Sequence, residues 1–127
     1  MTTPRLFILM ALSEAGLGAA LLLSPSLVVA LILGASLDGP AALTVGRVAG
    51  AALLALGTAC WFARNDVSSG AARGLAAAML LYNATAIAIL VYAGTGLGLT
   101  GIGIWPAALL HAALAVWGIA CLRKQNG

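Results

Sequence analysis

Residues 6–23, 41–63, 74–93 and 104–122 form four apolar runs, each close to the roughly 20 residues a helix needs to cross a hydrocarbon core about 30 Å thick. No other feature of the chain constrains its fold as strongly. Inside lipid every backbone N–H and C=O must be satisfied within the protein, which leaves only helices and closed barrels. A barrel strand alternates polar and apolar residues, and none of these runs does. Apolar residues make up 63% of the chain and charged residues 7%, with a mean hydropathy of +1.12. Soluble domains carry about 45–50% apolar and about 25% charged residues. The sequence therefore predicts an all-α integral membrane protein, a four-helix transmembrane bundle. Its 127 residues suit a single transmembrane domain and leave no room for a second.

The connections are short. In residues 24–40, the segment 27–33 is apolar but too brief to span. Ser24-Pro25 is a helix start, with serine as N-cap and proline at the first helical position. It predicts a short interfacial or re-entrant helix ending near Gly34; the alternative is one long first helix kinked at Pro25. Residues 64–69 (RNDVSS) read as a polar turn, and residues 94–103 (GTGLGLTGIG) as a flexible surface loop. The loop has glycine spacings like those of phosphate loops, but no strand precedes it and no Lys-Ser/Thr follows. Arg5 ahead of residues 6–12 resembles a signal peptide. Glu14 interrupts that run and no soluble domain follows, so a retained first span is expected. Arg5, Arg64, Arg73, Arg123 and Lys124 all fall on one side of a four-span topology, whereas the other side carries Asp38 and the glycine loop. The positive-inside rule places both termini in the cytoplasm. Trp61, Trp105 and Trp117 are expected as interfacial anchors.

Polar residues inside the spans are the candidates for function. A charge at the bilayer centre costs about 2.5–3.5 kcal/mol on insertion scales, so each such residue needs a partner, a wet cavity or a task. At a rise of 1.5 Å per residue, Glu14 lies about 13 Å above Arg5, Asn83 about 15 Å above Arg73 and His111 about 18 Å above Arg123. Three helices thus bring Glu14, Asn83 and His111 to similar mid-membrane depth. They form either a polar staple that fixes which helix faces which, or a site for a ligand or proton. Arg47 lies about 25 Å above Arg64, near the outer surface, where it can snorkel. Asp38 is its candidate partner in an outer-side polar anchor.

Helix packing is expected at small-residue pairs, where backbones approach closely: Gly46 and Gly50, Gly70 and Gly74, and the pairs Gly16–Ala20 and Ala72–Ala76. These pairs suit packing within the chain, a homo-oligomer or docking in a larger membrane complex. Cys60 and Cys121 lack a C-x-x-C spacing and read as free, apolar-like thiols; a redox pair requires their helix ends to touch. Two cysteines and one distant histidine do not make a metal site. The net charge of +3 is dispersed and interleaves with no aromatic platform, so no nucleic-acid partner is expected.

Ala107-x-x-x-His111 with Trp117 six residues on resembles the ligating helix of bacterial light-harvesting polypeptides, over one helix of a chain that has four. It makes His111 a candidate pigment or haem ligand, although a haem held by two histidines is excluded within one copy, which has one His. A-L-S-E-A-G around Glu14 parallels the first span of small multidrug resistance transporters, but the aromatic-rich second and third spans of that family are missing. The glycine-threonine-phenylalanine filter of four-span fluoride channels is missing too. The segments LLLSPSLVVALILG, GRVAGAALLALGTACWFAR, LLYNATAIAIL and IWPAALLHAAL are similar to short four-span bacterial membrane proteins of the DoxX group, over most of the chain. That resemblance implies a bacterial inner membrane and no particular reaction. The function expected first is an accessory or packing subunit of a larger membrane complex or homo-oligomer. Next comes a small proton-coupled transporter or carrier using Glu14, Asn83 and His111, and then a pigment- or haem-binding subunit. No nucleophile–base pair or cofactor loop marks an enzyme, with a redox role for Cys60 and Cys121 left open.

Overall fold

Prolines, glycines and one serine cap divide the chain into helices in a computed structural model that describes residues 2–125. The elements are α1 (Thr3–Leu23), α2 (Pro25–Leu33), α3 (Gly39–Ala63), α4 (Gly70–Thr95) and α5 (Ile104–Gln125), with no strand among the described residues. Four of them, α1, α3, α4 and α5, are long and apolar enough to cross a membrane. The protein is a multi-pass helical membrane bundle with a short extra helix after the first span. Several helices begin earlier than hydropathy predicts. Pro4 and Pro40 stand in the first turns of α1 and α3, where a missing N–H costs nothing. The Ser69 hydroxyl accepts from the Ala72 N–H at 3.1 Å and starts α4 at Gly70.

The chain breaks between α1 and α2 at Ser24, whose backbone leaves the helical region (φ −143°, ψ 65°). The kinked single helix is thereby excluded. Ser24 holds the N-cap position, but its side chain makes no capping hydrogen bond. Gly34 ends α2 in the left-handed region at φ 77°, a conformation glycine adopts without steric cost.

The helices associate as two antiparallel pairs, α1 with α3 and α4 with α5, joined by slighter contacts. The first pair is set by glycines. A Cβ built on Gly18 would stand 2.6 Å from the Gly50 carbonyl oxygen and from the Leu54 nitrogen, and one on Gly57 would stand 2.7 Å from the Ala15 nitrogen. Gly46 packs against Leu37 and Pro25. Gly70 and Gly74, with the same sequence pattern, have nothing within 4 Å of an added Cβ, and neither has Gly16. Of the four packing glycines expected from sequence, only Gly46 and Gly50 pack inside the chain, and Gly18 and Gly57 supply the rest.

The glycine loop is not a free surface loop. The Gly103 N–H donates to the Leu31 carbonyl at 2.9 Å, and a Cβ on Gly101 would lie 2.2 Å from the Ile32 carbonyl oxygen. Its glycines therefore seat the end of α2 against the start of α5.

Leu6, Phe7, Met10, Met79, Leu114 and Cys60 are fully buried at the end of the bundle that holds the chain's N-terminus. Cys60 and Cys121 share this core as free thiols. Both are expected to resist a maleimide in the folded protein and to react once it is unfolded in hot detergent; rapid labelling of either in the folded state would contradict this packing. Trp61 and Trp105 are 43% and 49% exposed, as anchors should be. Arg64 stacks over the Trp61 ring at 3.8 Å and donates to its carbonyl oxygen. Trp117 departs from the expectation: it packs against the core with its indole N–H buried and without a partner among the described residues, because α5 runs on two further turns.

Candidate functional site

Glu14 on α1, Asn83 on α4 and His111 on α5 are 2%, 0% and 9% exposed. Asn83 is oriented from within its own helix. Its amide nitrogen donates to the Met79 carbonyl, four residues back, at 2.7 Å. The amide oxygen therefore points at α5, where it meets His111 Nδ1 at 2.8 Å. An amide oxygen only accepts, so Nδ1 carries a proton, and in the neutral imidazole Nε2 keeps a lone pair. Nε2 itself makes no hydrogen bond among the described residues. A second partner that fixes ring and tautomer in this way is what prepares an imidazole to act through its other nitrogen.

Glu14 does not bond directly to His111. Its Oε2 accepts from the Tyr82 hydroxyl at 3.2 Å. The Tyr82 ring in turn stands edge-on to the imidazole, with centroids 5.5 Å apart and planes at 81°. The site is thus four residues, with tyrosine between carboxyl and imidazole. Tyr82 was missed by depth counting, although its sequence signal exists: a tyrosine adjacent to Asn83 in the middle of a span, where anchoring at the interface cannot explain it.

A polar staple has to offset the cost of placing Glu14 inside a span. A hydrogen bond between helices in a membrane averages about 0.6 kcal/mol and reaches about 1.7. An acidic residue at the middle of a span costs about 2.5–3.5 kcal/mol. The Tyr82 bond does not offset Glu14, and no arginine or lysine among the described residues bonds to it. Arg47 is exposed and makes no hydrogen bond or ion pair among the described residues. Asp38 accepts instead from Ser36 at 3.3 Å, so the expected Arg47–Asp38 anchor is not formed. The turn at Gly39 (φ 84°) and two turns of α3 separate the two residues.

Tyr82 and His111 floor a cleft of about 280 Å³. Leu17 of α1, Ile32 of α2, Ala86, Ile89 and Leu90 of α4 and Ala107 of α5 are among its walls. Thr85 and Ile89 also line it and are exposed on α4 within the span, so the cleft faces lipid on that side. Cys60 and Cys121 do not line it. No group of three or more metal-ligating side chains occurs among the described residues. No protein-family model, curated protein or solved structure matches this chain.

Proposed function

We propose that the protein is a small binding protein or carrier of the bilayer, taking a ligand from lipid into the cleft above Glu14, Tyr82, Asn83 and His111. The single observation that carries this reading is His111, oriented through Nδ1 by Asn83 and lining an apolar cleft, with Nε2 bonded to none of the described residues. The side-by-side Glu14–Tyr82 and Asn83–His111 pairs would let ligand binding and proton movement be linked. The distribution of Arg5, Arg64, Arg73, Arg123 and Lys124 favours both termini in the cytoplasm. The DoxX-like texture favours a bacterial inner membrane.

Glu14→Gln tests the coupling. The glutamine oxygen can still accept from Tyr82, so the variant is expected to fold in nanodiscs with a melting temperature no lower than that of the wild type. Ligand binding that varies with pH in the wild type should become independent of pH. Loss of the fold, with no pH-dependent binding in the wild type, would leave only the staple.

A second reading, a subunit of a homo-oligomer or larger complex, is favoured by the unfilled Gly70 and Gly74 on α4 and by the exposed Phe62 on α3. Native mass spectrometry from nanodiscs distinguishes the two. A bound small molecule favours the carrier, and a stoichiometric protein partner favours the subunit.

A further inference from the structure

The polar side chains on the cleft have their donors already engaged. Thr85 gives its hydroxyl proton to the Leu81 carbonyl at 2.9 Å, Tyr82 gives its own to Glu14, and His111 gives Nδ1–H to Asn83. What these three residues have left to offer a ligand is lone pairs: His111 Nε2, Tyr82 Oη and Thr85 Oγ1. Resting on the reading of the cleft as a binding site, we propose that its ligand is a compact lipid-soluble molecule carrying an uncharged hydrogen-bond donor, an alcohol or phenol, whose O–H is received by His111 Nε2.

The alternatives meet specific obstacles. A carbonyl, ether or carboxylate would set lone pairs against lone pairs and leave Nε2 buried and unsatisfied, which is the arrangement that buried polar sites reject most strongly. An ammonium would need an anion on the cleft wall, and Glu14 lies behind Tyr82 and does not line it. Access is through hydrocarbon, past Thr85 and Ile89, which excludes strongly hydrated solutes. An apolar cavity of roughly 150 Å³ holds a benzene ring, so about 280 Å³ admits a ring with a short alkyl chain. His111 is itself nine-tenths buried and faces this space, so the acceptor is prepared before any ligand arrives.

The chain has one histidine, so nitrogen-15 histidine labelling in nanodiscs gives a single Nε2 and a single Nδ1 resonance. The probes are para-butylphenol and its methyl ether, para-butylanisole, in which a methyl group replaces the hydroxyl hydrogen. Affinities are measured by calorimetry and referred to the concentration of each probe in the membrane. The phenol should bind at least about tenfold more tightly, the equivalent of about 1.4 kcal/mol. It should move the Nε2 resonance saturably while Nδ1, held by Asn83, changes little. His111→Phe should bring the two affinities together. Equal binding of both probes to the wild type, or saturable phenol binding with Nε2 unmoved, would overturn the donor rule and leave the cleft as a binding site. Binding of neither probe would overturn the cleft as well.

Discussion

Gly50→Leu is expected to separate α1 from α3 and to leave no folded bundle in mild detergent. A Cβ at this position already lies 2.8 Å from the Gly18 carbonyl oxygen and 2.9 Å from the Leu22 nitrogen and the Leu21 Cβ. Two of the three obstacles are backbone, so no rotamer change relieves them. Overpacking a core costs about 1–3 kcal/mol, and more where the backbone must move. In lipid no hydrophobic driving force compensates, since lipid tails are as apolar as the helix surface and association rests on close contact. The loss should exceed about 3 kcal/mol, and Gly18→Leu should match it from the other side. Gly70→Leu and Gly74→Leu are the controls. With nothing within 4 Å, they should change the stability of the single chain by no more than about 0.5 kcal/mol. Reversible unfolding in mixed micelles measures all four, and a stable Gly50→Leu bundle would mean that α1 and α3 do not meet as described.

Gly101→Val should release α2 from the membrane bundle. The added Cβ would stand 2.2 Å from the Ile32 carbonyl oxygen, 2.4 Å from its carbon and 2.5 Å from the Gly34 nitrogen. All three are backbone atoms. By comparison, Asn83→Ala removes hydrogen bonds worth about 0.6–1.7 kcal/mol each in a membrane, so the larger effect lies at the glycine, far from the polar residues. Hydrogen exchange gives the local readout. The Gly103 amide, bonded to Leu31, should lose its protection, and amides in the middle of α4 should keep theirs. Because Ile32 is a wall of the cleft, binding should weaken in the same variant. Protection retained at Gly103 would show that α2 is held by something other than this clamp.

The four spans and the short α2 were legible because hydropathy and helix punctuation act along the chain: Ser24-Pro25 opens a helix and Gly34 closes it whatever surrounds them. Depth is legible too, since it follows from helix rise, and it brought Glu14, Asn83 and His111 to one level. Direction around the helix axis is not. Tyr82 and Asn83 are consecutive, and which of them meets α1 and which meets α5 depends on how α4 is rotated. The same limit explains the glycines. Gly16 and Gly18, or Gly46 and Gly70, carry equivalent local patterns, and only the placement of α3 decides which of them meets a neighbour. The glycine loop read as flexible because glycine permits motion and also permits close approach. Sequence alone does not distinguish those uses, and here Ile32 does.

The hydrogen bond between Glu14 and Tyr82 has a consequence for biogenesis. The two residues are 68 positions apart, and at about 5–20 residues per second a ribosome needs roughly 3–14 seconds to make that interval. During that time α1 carries an acidic residue into the membrane with its tyrosine not yet synthesised. Its main partner α3 emerges first, and the glycine contacts can form then, but they bring no polar group to Glu14. Glu14 therefore waits for its tyrosine until α4, two spans later in the chain, has been made.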